Sequence, residues 1–191
     1  MYNKIMTKFI KWLIIFVGGA IVLAFIISLI AAFKLTSDFK NIVDKIKPVD
    51  FETCAALGNP VMESYPRQCK SEGQTFAENV GNEVEKMDLV RLSTPRPNEI
   101  VKSPLAVEGE ARGNWFFETS FPVKIWDITG KEIARGITQA QGEWMTEEFV
   151  PFKVTLEFET PAIKKGLLIL EKDNPSGLPE NADSLRIPVR F

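Results

Sequence analysis

The chain has 191 residues, 45% of them hydrophobic, with 12 prolines, enough for one domain with its own core plus smaller attachments. Its 23 Lys and Arg face 25 Asp and Glu, a formal net charge of −2, so the basic surface that phosphate neutralisation requires is missing and no nucleic-acid partner is expected. With no histidine and two cysteines, Ser-His-Asp and Cys-His catalysis are excluded, and a tetrahedral zinc site lacks its usual ligands.

From Trp12 to Phe33 the sequence reads WLIIFVGGAIVLAFIISLIAAF, uncharged throughout, with Ser28 as its only hydroxyl. About 20 such residues in a helix cross roughly 30 Å of hydrocarbon with every backbone group bonded internally. The run predicts a transmembrane helix over 12–33, with the lipid bilayer as its partner. Lys4, Lys8 and Lys11 precede it like the n-region of a signal peptide, but the run is long for an h-region and no convincing small-residue cleavage pattern follows, so an uncleaved signal anchor is the reading. Lys34, Lys40, Lys45 and Lys47 on the other flank prevent a decision on orientation by charge alone. Long domains translocate largely regardless of charge; residues 1–11 are therefore expected in the cytoplasm and everything after Lys34 outside the cell. Leu35, Phe39, Ile42, Val43 and Ile46 recur at helical spacing up to Pro48, which predicts a helical stalk over 34–48.

Residues 49–79 contain both cysteines. Outside the cell Cys54 and Cys69 can form and keep a disulfide, and closing a loop of about 15 residues stabilises a segment by about 3 kcal/mol on the chain-entropy estimate. Two free thiols are the alternative. Redox catalysis would favour C-x-x-C spacing, which is absent. Gly58-Asn59-Pro60, Tyr65-Pro66 and Glu72-Gly73 signal turns. The pattern CxxxGNPVMESYPRQCxxxGxxFxE resembles a short element found beside membrane anchors in other prokaryotic surface proteins. CKSEGQTF is also similar to the C-x-x-D-G-x-T-Y core of Kazal-type protease inhibitors, with Cys69, Glu72, Gly73, Thr75 and Phe76 at the matching positions; that likeness implies inhibition of extracellular proteases as an alternative function. VGNEVEKM, 80–87, is largely polar and reads as a linker.

Over 88–191 short stretches alternate apolar and polar residues, the two-residue period of half-buried strands. They fall at Asp88–Leu92, Ile100-Val101, Leu105–Gly109, Val123–Ile128, Glu132–Ile137, Phe152–Phe158, around Leu168 and at Leu185–Phe191. Seven or eight strands in about 100 residues is the pattern of an all-β immunoglobulin-like sandwich. The run RPNEIVKSPLAVEGEARGNWFFETSFPVKIWDITGKEIA, followed by PFKVTLEF and the terminal IPVRF, resembles the immunoglobulin-like domain associated with bacterial spore-germination proteins. Ser103-Pro104, Gly109-x-Ala111, an aromatic-Glu118 element and Gly130 in a hairpin carry the likeness in that order. It implies a non-catalytic envelope module, present in spore formers and in bacteria that make no spores.

Ser37 and Lys40 match S-x-x-K, but S-D-N and K-T-G are absent, as are G-x-S-x-G and any glycine-rich phosphate loop. No enzyme and no cofactor are expected. Glu143, Glu147 and Glu148 near Trp144, and Glu171, Asp173 and Asp183, lack the ordered ligand spacing of a calcium loop, so no metal is expected either. Trp115, Phe116 and Phe117 are consecutive, so in a strand they cannot all face the core. With Glu118 they form the candidate binding surface. The sequence thus predicts a single-pass membrane protein whose extracellular sandwich binds or scaffolds an envelope protein or polymer, with a subunit of an envelope assembly as a further alternative.

Overall fold

The computed structural model describes residues 25–38 and 47–191. The expected cytoplasmic residues 1–11, the first part of the expected span, 12–24, and the middle of the expected stalk, 39–46, lie outside the described residues. The described residues fall into two compact units, one comprising those up to Val61 with Cys69–Phe76, the other Met62–Gln68 with Ala77–Phe191.

In the first unit, residues 25–38 form a helix, α1. Among the described residues no helix is long and apolar enough to cross a membrane. A second helix, α2 (Phe51–Ala56), is unexpected, but its start is encoded locally. The Asp50 carboxylate accepts from the Thr53 amide at 2.8 Å, and the Thr53 hydroxyl accepts from the Asp50 amide at 3.2 Å, a reciprocal cap that satisfies two otherwise orphaned donors. α2 places Cys54 against Cys69, and the two form the expected disulfide. Around it lies a small core of Phe51, Cys54 and Cys69, with Phe76 packed against them. The strands of this segment, β1 (Val61–Met62), β2 (Gln68–Ser71) and β3 (Gln74–Ala77), run in the order β1-β2-β3. Glu72 and Gly73, both at positive φ, make the turn between β2 and β3 that Glu72-Gly73 predicts.

The second unit is the sandwich. Its strands are β4 (Val90–Thr94), β5 (Leu105–Arg112), β6 (Ser120–Asp127), β7 (Glu132–Ala140), β8 (Phe149–Leu156), β9 (Lys165–Glu171) and β10 (Ser184–Arg190), hydrogen-bonded in the order β10-β9-β6-β7-β8-β5-β4. β7 and β8 share only the pairs Gln139↔Lys153 and Ala140↔Phe152, so the strands divide into a four-stranded layer, β10-β9-β6-β7, and a three-stranded layer, β8-β5-β4. Alternate residues of both layers fill one core: Leu105 and Val107 of β5, Phe121, Val123 and Ile125 of β6, Phe152 and Leu156 of β8, Leu185, Ile187 and Val189 of β10. Phe121 meets both Phe116 and Phe152 edge-on at 5.0 Å between ring centroids, the arrangement that the aromatic quadrupole favours. Close approach demands glycine at two places. At Gly109 a Cβ would fall on the Arg91 carbonyl oxygen and the Phe152 ring, and at Gly136 on Leu156 and Val154 of the facing layer.

The Ile100-Val101 stretch is not a strand. Ile100 makes only an isolated parallel bridge with Arg190, and the Val101 amide donates to the Arg190 carbonyl at 2.8 Å, so the segment covers the outer edge of β10. The expected linker, 80–87, is instead part of the sandwich unit. It contains a short helix, α3 (Glu83–Lys86), with Val80 and Glu83 buried. Asn82 donates to the Ser184 carbonyl at 2.9 Å and accepts from the Arg186 amide at 2.7 Å. At Gly81 a side chain would fall on the Arg186 carbonyl. Charge pairs hold the same region. Arg67 grips Glu78 through two nitrogens at 2.8 and 2.6 Å, and this guanidinium is the largest cause holding the Glu78 carboxyl below its ordinary range. Burial pushes Glu83 up, against the opposing pull of Arg96 at 2.9 Å. Arg96 also donates to the Tyr65 hydroxyl at 3.0 Å.

Candidate functional site

Strand direction sorts the connections of the sandwich into two poles. β5 ends and β6 begins beside the end of β7, the start of β8, the end of β9 and the start of β10. Residues 113–119, 141–148 and 172–183 therefore emerge together at one pole. The connections at 95–104, 128–131 and 157–164 lie at the other, where Asn98 donates to the carbonyl of Asn79. In antibody variable domains, loops gathered at one end of such a sandwich form the recognition surface.

The aromatic triplet sits in the first of these loops, but not as a strand. Gly113–Trp115 form a 3₁₀ turn, which rotates both Trp115 and Phe116 inward; they are 0% and 4% exposed. These two expected binding residues are core residues, because the helical turn breaks the alternation that a strand would impose. Phe117 is 40% exposed, and Phe117 and Glu118 remain as the outward part of the expected surface. Phe117 and Ser120 exchange both backbone hydrogen bonds at 3.0 Å, with Glu118 at φ 47° and Thr119 at φ 68° between them. Two consecutive left-handed residues define a type I′ turn, normally made by Asn-Gly or similar pairs. A β-branched threonine there is conformationally costly, and such strain is concentrated at functional sites.

The other two loops each add an exposed apolar residue, Met145 at 75% and Leu178 at 50%. Neither was singled out in the sequence, since an apolar residue in a polar loop has no periodic signal. All three tips are held by local hydrogen bonds. Around Leu178, Asn174 Nδ2 donates to the Leu178 carbonyl at 2.8 Å, Ser176 Oγ donates to Asn174 Oδ1 at 2.5 Å, and Asn181 Nδ2 donates to Ser176 Oγ at 3.0 Å. Beside Met145, the Met145 amide donates to Glu143 at 3.1 Å, and Arg112 donates to the Glu147 carbonyl at 2.9 Å. The loops also brace one another. The Asp173 amide donates to the Trp115 carbonyl at 3.1 Å, the amide of Ala140, the last residue of β7, donates to the Thr119 carbonyl at 2.8 Å, and Gly113 lies directly under the carbonyls of Trp144 and Thr146.

The acids named from the sequence fall into two groups. Glu171 pairs with Lys124 at 2.5 Å and Asp183 with Lys86 at 2.6 Å, beside an open polar groove of about 690 Å³ that Asp173 and Pro122 also line. Glu143, Glu147 and Glu148 belong to the Met145 loop. Among the described residues no cluster of carboxylates or thiols has the geometry to hold a metal ion. Arg112 is committed, stacking 4.1 Å over Phe149 while Arg91 stacks 3.9 Å from the same ring.

Two layers of antiparallel strands around one core, with braced loops at a pole, define an immunoglobulin-like sandwich. Residues 89–177 match the family model described as the immunoglobulin-like domain of bacterial spore germination. That match takes in β4 to β9 and supports the resemblance read from the sequence. No curated protein and no solved structure matches the chain.

Proposed function

We propose that the protein is a membrane-tethered, extracellular, non-catalytic binding module, which engages an envelope component through the loop pole of its sandwich. The observation that carries this reading is the pole itself, where three hydrogen-bonded loops each expose one apolar side chain, Phe117, Met145 and Leu178. Pre-organised loops spend little ordering entropy on binding, so exposed anchors held this way favour affinity. Two further observations support the tether and the compartment. Phe25, Ile26, Ile27, Leu29, Ile30 and Phe33 of α1 are exposed, and a helix that presents a broad apolar surface is covered in the core of a larger protein or in lipid. The Cys54–Cys69 disulfide forms and persists in an oxidising compartment.

Intact cells treated with a membrane-impermeant phosphine and then a membrane-impermeant maleimide test the placement. Labelling of Cys54 and Cys69 without lysis is the expected result. Labelling that appears only after lysis would put the sandwich on the wrong side of the membrane for this function.

A further inference from the structure

The loop pole has a charge character that the whole chain does not. Its segments, 113–119, 141–148 and 172–183, hold Glu118, Glu143, Glu147, Glu148, Asp173, Glu180 and Asp183 against Lys172 alone. Of these acids Asp183 is spent on Lys86, and Glu148 reaches Arg112 only at 4.0 Å. The chain as a whole carries a net charge of only −2, so these loop segments are more acidic than the chain, with Arg112 at the end of β5 as a neighbouring cation. Phe117, Met145 and Leu178 stand out among those carboxylates.

Resting on the binding role proposed above, we infer that the partner is a cationic polypeptide surface, one presenting lysine or arginine alternating with apolar side chains. Charge decides against the anionic envelope chemistries. A phosphate-bearing polymer or an anionic lipid face would meet the loop carboxylates as like charges, which costs affinity and slows encounter. A purely cationic partner would satisfy the acids but leave three apolar tips in water, whereas interface energy comes chiefly from apolar and aromatic anchors surrounded by a polar rim. A partner carrying both meets both requirements, with the apolar tips as its centre and the loop acids as its rim.

Titration of the full chain in neutral detergent, with detergent alone as the blank, tests this directly. The probes are a synthetic lysine–leucine peptide, a glutamate–leucine peptide of equal length, a lysine-only peptide and inorganic polyphosphate. The lysine–leucine peptide is expected to bind more tightly than the other three and to weaken as salt rises, because exposed charge pairs are screened. The triple change Phe117→Ser, Met145→Ser and Leu178→Ser should weaken it by about tenfold or more, as should Glu143→Lys with Glu147→Lys. Ile128→Ser at the opposite pole, where Ile128 is also exposed, should leave it unchanged. Binding of the glutamate–leucine peptide or of polyphosphate that depends on the same three tips would overturn the inference while leaving the binding role intact. Lysine–leucine binding that ignores both loop variants would overturn the inference and the role of the pole together. Unaltered thermal unfolding of the variants separates either result from misfolding.

Discussion

Trp115 shows how one local turn reassigns a residue. Three consecutive aromatics in a strand must split between the faces, and the exposed member is indeed present, but the 3₁₀ turn makes it Phe117 and sends its two neighbours inward. Trp115 Nε1 and Thr138 Oγ1 are buried without a hydrogen-bond partner. Truncating Trp115 to alanine should therefore cost about 3–5 kcal/mol of stability by opening a cavity. Phe at the same position should cost much less, since the lost N–H was making no bond; denaturant midpoints of the two variants check this. Thr138→Val replaces an unsatisfied buried hydroxyl by a methyl group and should raise stability by about 1 kcal/mol, measured as a higher denaturation midpoint at unchanged slope. Glu78 gives a pH signature. Its carboxyl is held below the ordinary range by Arg67, so its contribution is complete above the unfolded-state pKa, about 4.3 for glutamate, and is lost as pH falls through the lower folded value. Glu78→Gln should be less stable than the parent by about 1 kcal/mol at neutral pH, and the gap should close in acid. Glu83 has the opposite sign, because burial raises its pKa and the cost of charging it grows as pH rises through the folded value. A gap for Glu78→Gln that persists unchanged at low pH would place the effect in packing instead of charge.

Among the elements, the strands were legible in the sequence and the short helices were not. Leu105, Val107, Val123, Ile125, Phe152, Leu185, Ile187 and Val189 all reach the core that their alternation predicts, because a two-residue period with one buried face survives any change of neighbours; β6 starts three residues before the expected Val123 and adds Phe121. α2 and α3 were missed for different reasons. α2 spans only Phe51–Ala56, too short for a helical stripe, although the Asp50 and Thr53 cap was present to be read. α3 takes its place from distant partners, Asn82 bonding to β10 across the whole length of the sandwich sequence, and no local pattern of VGNEVEKM reports that. Met145 and Leu178 escaped for a similar reason, since loop exposure depends on where the strands bring the loops. The disulfide was legible from the compartment expected for it and from its spacing. Its loss should release the constraint on the loop it closes, worth about 3 kcal/mol. Cys54→Ser with Cys69→Ser, or reduction, should accelerate proteolytic cleavage between the two positions several-fold. Cleavage at the parent's rate would mean that the caps and strands of the segment suffice alone.

At the scale of the molecule, β7 and β8 meet at only two residue pairs, so the layers are separated enough to enclose a core and joined enough to fix which connections share a pole. That topology, more than any single residue, is what collects Phe117, Met145 and Leu178 into one end. It also places Ile100 and Ile128, equally exposed, at the other end as internal controls. A photo-crosslinking amino acid placed in living cells at 117, 145 or 178, and separately at 100 or 128, measures the central claim most directly. Covalent adducts to a protein partner at the first three positions and none at the last two are predicted. Adducts of equal yield at both poles, or none at 117, 145 and 178, would contradict it.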